Sequence, residues 1–253
     1  MTNINKFYKM NTREREVSDL FMQTTHPKSV SDYFHCYNSN NILNVIYWWK
    51  FFEMISKIPG DIVECGVGRG RSLITITSLR NYLELSDSLI PKRKIFALDS
   101  FEGFPEPTEN DFSIRNPKKG EWSKSPNHEF DYSITEISKV LNFAELDVSD
   151  SSRLEFVKGF FNDSTPKLNV EKIAVLHLDG DLYESVLSPL KNLWSKVQLG
   201  GLIVIDDFIL EDSEFEKEAF PGARKAVNEF LNTNKCFECR KSIRGTPYLI
   251  RIR

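Results

Sequence analysis

The chain has 253 residues, with 33 Lys plus Arg against 36 Asp plus Glu and a formal net charge of -3. That length suits one well-filled α/β domain with additions rather than two large domains. No basic run extends beyond Lys92-Arg93-Lys94, so there is no electrostatic footprint for nucleic acid or an anionic membrane surface.

The start, Met1-Thr2-Asn3-Ile4-Asn5-Lys6, lacks the apolar stretch of a signal peptide, and no apolar run approaches the roughly 20 residues that span a bilayer. A cytoplasmic location is expected. Cys36, Cys65, Cys236 and Cys239 are too few and too scattered for a disulfide framework. Cys236 and Cys239 form a CxxC, but zinc needs a second ligand pair and residues three apart on a strand face opposite sides. They read as ordinary strand cysteines.

In chain order, residues 1–58 read as an N-terminal helical cap, polar at first and then aromatic at Tyr33-Phe34-His35 and Tyr47-Trp48-Trp49. Val45, Trp48, Trp49, Phe52 and Ile55 recur at helical spacing, which predicts an amphipathic helix closed by Pro59-Gly60. The Trp48-Trp49 face is core or an oligomer contact before it is a sugar-stacking platform, which leaves a homo-oligomer open. Residues 59–253 read as one α/β domain. The expected order is strand 61–67, helix about 72–85, strand 94–101, an irregular insertion at about 104–150, strand 153–161 and strand 173–179. Helix about 184–197, strand 201–207, helix 221–232 and strands near 236–243 and 247–252 follow. This predicts a doubly wound, mostly parallel sheet ending in an antiparallel hairpin. The insertion, with Pro105, Pro107, Pro117 and Pro126 and the aromatics Phe112, Trp122, Phe130 and Tyr132, reads as a lid or substrate loop.

Chemistry gathers at strand ends. Ile62-Val63-Glu64-Cys65-Gly66-Val67-Gly68-Arg69-Gly70-Arg71-Ser72 is strand, glycine turn and helix start. Its glycines admit a ligand close to the backbone, and the free N–H groups of the helix start suit a carboxylate or phosphate. A GxGxxG dinucleotide pattern is not met, because its third glycine position is Arg71. Asp99, ending the second strand, is placed for ribose hydroxyls. Further acids, Asp179, Asp181, Asp206 and Asp207, end the fourth and fifth strands, where open α/β sheets place ligands. Adjacent carboxylates there are costly unless a cation joins them. Hard oxygen ligands with open positions select Mg2+, or Mn2+ and similar ions. Asp181 reads as an outer neighbour of the metal ligands, His177 as a packed core residue, and Arg224 and Lys225 as either phosphate contacts or helix surface.

The glycine turn with its acids resembles the S-adenosylmethionine (SAM) site of class I methyltransferases. Four stretches, Asp61–Val67, Leu98–Pro107, Leu178–Ser185 and Pro221–Val227, are similar to the macrocin O-methyltransferase family of sugar methyltransferases. The likeness departs at Gly68, where the family carries a bulky aromatic. What the resemblance implies is a class I SAM-methyltransferase, Rossmann-like fold and a SAM- and divalent-metal-dependent transfer of methyl to a sugar hydroxyl. It implies Asp179, Asp206 and Asp207 as metal ligands, with Asp179 also the general base. Glu64, Gly66, Gly68 and Gly70 would line the methionine part of SAM. Ser72 would bind its carboxylate, Asp99 and Ser100 its ribose, and Phe161 its adenine.

Members of that family act on macrolide sugars in hosts with Ala-rich proteins. The 19 Phe and the abundant Asn and Ile here argue against such a host. The expected acceptor is a nucleotide-linked or capsular or surface-polysaccharide sugar, for instance a heptose or hexose. Two other readings stand beside it: a metal-dependent methyltransferase of small phenolic or catechol acceptors, and a nucleotide-sugar-binding protein without catalysis. A nicotinamide oxidoreductase is weaker, given the glycine spacing.

Overall fold

Short β-branched runs bury both faces when helices cover a sheet on each side, and the runs at 61, 95, 173 and 202 do so in the computed structural model. The structure describes residues 39–124, 128, 131–208 and 220–253. Most of the expected 1–58 cap, including Tyr33, Phe34, His35 and Cys36, and the insertion residues Pro126 and Phe130, lie outside the described residues. The chain divides into two compact units, Met1–Ile46 and Tyr47–Arg253, and the sheet and its crevice belong to the second.

The strands are β1 (Asp61–Cys65), β2 (Ile95–Asp99), β3 (Leu154–Lys158), β4 (Ile173–Leu178), β5 (Val197–Ile205), β6 (Phe237–Lys241) and β7 (Pro247–Arg251). The helices are α1 (Ser39–Ile55), α2 (Arg71–Ser86), α3 (Ile134–Phe143), α4 (Phe161–Ser164), α5 (Tyr183–Leu193) and α6 (Pro221–Thr233). One sheet runs in the order β3-β2-β1-β4-β5-β7-β6. Neighbours from β3 to β5 are parallel, β7 is antiparallel to β5, and β6 to β7. This is the expected doubly wound sheet with its terminal hairpin. Its chain order reverses between β1 and β4, which opens a crevice at their carboxyl ends.

Alternate residues of each strand enter two cores. Val63, Cys65, Leu176, Leu178, Ile203 and Ile205 pack with Val186, Leu190, Ala226 and Phe230 of α5 and α6. On the opposite face Ile62, Ala97, Val175 and Val204 pack with Leu73 and Ile76 of α2, Ile137 and Leu141 of α3, and the aromatic end of α1. That end buries Tyr47, Trp48, Phe51, Phe52 and Ile55. Each such side chain contributes about 1.5–3 kcal/mol on burial. The buried stripe therefore runs through Tyr47 and Phe51 as well as the expected Trp48, Phe52 and Ile55, and Trp48 is core.

Element ends differ from the sequence reading where the backbone turns left-handed. β1 stops at Cys65 because Gly66 has φ 104°, and β3 stops at Lys158 because Gly159 has φ 144°. Within the insertion, Ile134–Phe143 is a helix where an irregular chain is expected. Ser133 Oγ caps it by accepting from Glu136 N, and Ile137 and Leu141 bury one face. No described helix is long and apolar enough to cross a membrane. Cys65, Cys236 and Cys239 are free thiols.

Candidate active site

The turn between β1 and α2 forms one wall of the crevice. At Gly66 a Cβ would stand 1.9 Å from the Asp179 carbonyl oxygen, so only glycine allows β1 and β4 to close here. Asp179 N then donates to Cys65 O at 2.8 Å, which joins the start of the glycine turn to the end of β4. Gly70, φ 81°, takes the N-cap position of α2 with no side-chain cap, so nearby helix N–H groups remain for a ligand. A Cβ at Gly68 would have nothing within 4 Å, and Ser72 is half-buried in the first turn of α2.

Asp99 lies under the same turn. Its carboxylate accepts from Val67 N at 2.9 Å, Gly68 N at 3.1 Å and Phe101 N at 2.7 Å. The acid at the end of β2 thus fixes the shape of the glycine loop. Ser100 Oγ donates to Gly103 O at 2.7 Å and accepts from Glu102 N at 3.1 Å, so it is held in the next turn. Phe161 opens α4, half-buried against the α5 side of the core. Its ring comes within 3.2 Å of where a Cβ on Gly180 would sit, next to the acidic loop.

The acids form the other wall. Oxygens of Asp179, Asp181 and Asp207 lie within 4.8 Å of one another, each residue partly exposed. Burial, with Asp206 and Asp207 nearby, pushes the Asp179 carboxyl well above the usual carboxylate range. Burial and Asp179 push Asp181 up to about 7, and burial with Asp181 and Asp206 raises Asp207. Three such groups cannot all ionise cheaply without a cation, and three convergent hard oxygens fit a Mg2+-type ion. Asp206, expected in this set, is not in the group. Its Oδ1 lies 3.8 Å from Nε2 of His177, and although burial alone would raise its pKa, His177 followed by Arg244 and Arg71 holds it below the usual value.

His177 is fully buried, edge-on to Trp48 at 4.8 Å. On its other side Nδ1 stands 3.3 Å from Glu64 Oε1. Glu64, expected beside the methionine of SAM, has no exposed surface and faces this histidine from the paired position on β1. Burial raises the Glu64 pKa, whereas His177, which burial alone would lower, is pushed up to about 10 by Asp206 and Glu64. The histidine therefore reads as a cation between two carboxylates, and its packing against Trp48 agrees with a core residue.

Sequence reasoning missed part of the insertion. Asp111 is buried, accepting from Thr108 N and Tyr183 N at 2.7 Å each and from Thr108 Oγ1 at 2.9 Å. Gly222 leaves room for it, since a Cβ there would meet Asp111 Oδ1 at 2.1 Å. Lys225 Nζ donates to Asn110 O at 3.3 Å. The first part of the insertion is thus fastened to the starts of α5 and α6, beside the acids. Just beyond it the Arg115 guanidinium lies 4.7 Å from the Phe220 ring centre and 5.7 Å from that of Phe104. Thr108-x-x-Asp111 is a capping-box spacing visible in sequence; nothing local marks Arg115.

The sheet order, the hairpin and the glycine turn at the reversal point define the class I methyltransferase fold. A family model for macrocin-O-methyltransferase matches residues 53–246, and the chain belongs to that family. It is 31% identical over 175 residues to demethyldecarbamoylnovobiocin O-methyltransferase of Streptomyces niveus, covering 69% of this chain and 59% of that protein. It is 29% identical over 177 residues to mycinamicin III 3''-O-methyltransferase of Micromonospora griseorubida, covering 68% and 61%. The chain spans about three fifths of the length of these curated relatives. Among solved structures, the O-methyltransferase NovP superposes with a TM-score of 0.61 at 28% identity, covering 81% of this chain and 79% of that one. A calicheamicin methyltransferase gives 0.72 at 21% identity over 94% and 90%, a likeness of fold alone.

Proposed function

We propose that the chain is a SAM- and divalent-metal-dependent O-methyltransferase acting on a sugar hydroxyl, with a nucleotide-linked or capsular or surface-polysaccharide sugar, such as a heptose, as acceptor. The carrying observation is the meeting of Asp179, Asp181 and Asp207 within 4.8 Å, one hydrogen bond away from the glycine turn. Family membership supports it, as do relatives named as O-methyltransferases, one of them for a rhamnosyl-tetracenomycin.

On this reading the glycine loop, Ser72 and the start of α2 hold the amino-acid end of SAM. Asp99 and Ser100 hold its ribose, Phe161 bounds the adenine, and Glu64 acts through charge beneath the turn. Asp179 and Asp207 would hold the dication, with Asp181 the third carboxylate in reach and Asp206 steered by His177. When bound, the ion would lower the pKa of an acceptor hydroxyl. Asp179, at the end of β4, would take the hydroxyl proton as general base. The acceptor oxygen, methyl carbon and sulfur must lie in line, so most of the rate comes from positioning. The first part of the 104–150 insertion, fastened through Asp111 to the starts of α5 and α6, would border the acceptor side.

The test is methyl transfer from labelled SAM to UDP-glucose, TDP-rhamnose and a GDP-linked heptose, with chelator and Mg2+ add-back. Turnover that needs Mg2+ and disappears in Asp179→Asn supports the proposal. Methylation of a catechol with none on any sugar would replace the acceptor class, and activity surviving both chelation and the substitution would remove the metal.

A further inference from the structure

Arg115 has no part in the reaction as described above, yet its placement is unusually determined for a loop residue. Its guanidinium lies against both Phe220 and Phe104, at 4.7 and 5.7 Å from their ring centres, and the two rings pack edge-on to each other at 5.9 Å. Nη2 pairs with Glu121 Oε2 at 2.6 Å. Glu121 is itself fixed: its carbonyl accepts from Phe104 N at 2.9 Å, and its Oε1 from Lys118 N at 2.9 Å. Gly103 permits this approach, since a Cβ there would fall 2.3 Å from the Glu121 carbonyl oxygen. The aromatic rings and the ion pair thus hold the guanidinium plane.

One edge of that plane is left over. Nη1 is buried and has no hydrogen-bond partner among the described residues, and in the same turn Ser113 Oγ is buried and unpartnered as well. Leaving such groups without partners is costly, so a pair of them beside a binding crevice points to a ligand that supplies oxygen. Arg115's charge reaches Asp181 and Asp207, opposing the rise of both carboxyls, and Phe220 stands immediately before α6.

We infer that Arg115 is an acceptor-positioning residue: two vicinal acceptor oxygens would fill the open positions of a hard cation held by the acids, and Nη1 donates to a further oxygen of the same acceptor. The inference rests on the sugar-methyltransferase reading and sharpens it. A catechol carries two adjacent oxygens, both needed at the acids, and offers none for Nη1. A sugar ring offers a third on a neighbouring carbon, as a hydroxyl, a ring oxygen or an oxygen of its linkage. The acceptor class is therefore a polyoxygenated ring, and Arg115 sets which of its hydroxyls faces the donor.

The experiment uses the full chain with saturating SAM and Mg2+ and the sugar nucleotide most active of UDP-glucose, TDP-rhamnose and a GDP-linked heptose. For Arg115→Gln we expect the acceptor KM to rise at least about tenfold, with kcat changed less than about threefold. Arg115→Lys should recover part of the loss, while SAM affinity by calorimetry and the melting temperature stay at wild-type values in both variants. An unchanged acceptor KM in Arg115→Gln would overturn the inference with the methyltransferase reading intact. A parallel weakening of SAM binding in both variants would mark Arg115 as structural and overturn it too. Wild-type protein inert toward every sugar nucleotide would overturn the underlying reading and this inference with it.

Discussion

At the amino ends of β1 to β3, Arg93 donates through its two Nη groups to the carbonyls of Gly60 and Ile55, both at 2.6 Å, and Arg80 Nη1 donates to Arg153 O at 2.6 Å. Glu84 accepts from Arg93 N at 2.9 Å and pairs with Arg153, and Asp61 accepts from Lys94 N at 2.8 Å. At the carboxyl ends of the same sheet, both carboxylate oxygens of Glu64, both ring nitrogens of His177 and Nη1 of Arg115 lack hydrogen-bond partners among the described residues. The acids there crowd one another, with His177 between Glu64 and Asp206 and the charge of Arg115 offsetting part of the repulsion. The arginines at one end close most of the chain's own hydrogen bonding, the buried Nε of Arg93 excepted, whereas at the other end several polar groups are assembled together and left unfinished. Such a cluster, gathered at a crevice, marks a place where something else finishes it.

The sharpest way to break this contrast is to alter each end alone. Asp179→Asn at the unfinished end should lower kcat by about 10²- to 10⁴-fold, the usual range for removing a general base. Its melting temperature should stay level or rise in the absence of a dication, because a repelling charge is gone. A clear loss of stability would show Asp179 to be structural. Arg93→Met at the finished end should do the opposite. It removes two charge-assisted hydrogen bonds and orphans two carbonyls, costing about 3 kcal/mol, roughly 6–12 °C in a domain of this size. SAM affinity should not change.

A smaller effect follows from titration. Asp181 rises from 3.8 to about 7 in the folded chain, so folding favours its protonated form. That contribution is complete below the unfolded value and fades as pH climbs through the folded one, so chelated protein should melt lower at about pH 8 than at about pH 5. Millimolar Mg2+ should remove most of the difference, through binding to the ionised acids. A chelated protein with equal melting temperatures at both pH values would contradict the crowding of these carboxylates. The smallest expected change is Ser133→Ala, which removes the cap of α3, far from either charged end. It should cost about 1 kcal/mol by thermal melting.

Much of this was legible in the residues. Strand runs of Val, Ile and Leu ending in Asp99, Asp179 and Asp206-Asp207 place the acids at one edge of a parallel sheet, and the glycines place the turn beside them. The grouping of the acids was not legible, because it depends on two tertiary facts. Asp181 takes a left-handed backbone, φ 58°, which sends its side chain back toward Asp179 and Asp207, while His177 draws Asp206 away. Parity along a strand carries neither. Helix α3 was visible in principle, as Ser133-x-x-Glu136 ahead of Ile137 and Leu141, but a charged, proline-punctuated neighbourhood masks a ten-residue helix. Arg115 carries no local signal. Its meaning comes from Phe104, Glu121 and Phe220, brought together across more than a hundred residues of chain.

The contact at Gly66 carries a mechanical consequence. Because the floor of the glycine loop rests directly on the peptide of Asp179, with no space for even one methyl group between them, the two walls of the crevice share a single hinge line. Bending that displaces one carries the other along, so the gap separating them is shielded from distortion elsewhere in the sheet. An alanine at 66 would act as a wedge, spreading the walls while leaving the residues on either side chemically intact.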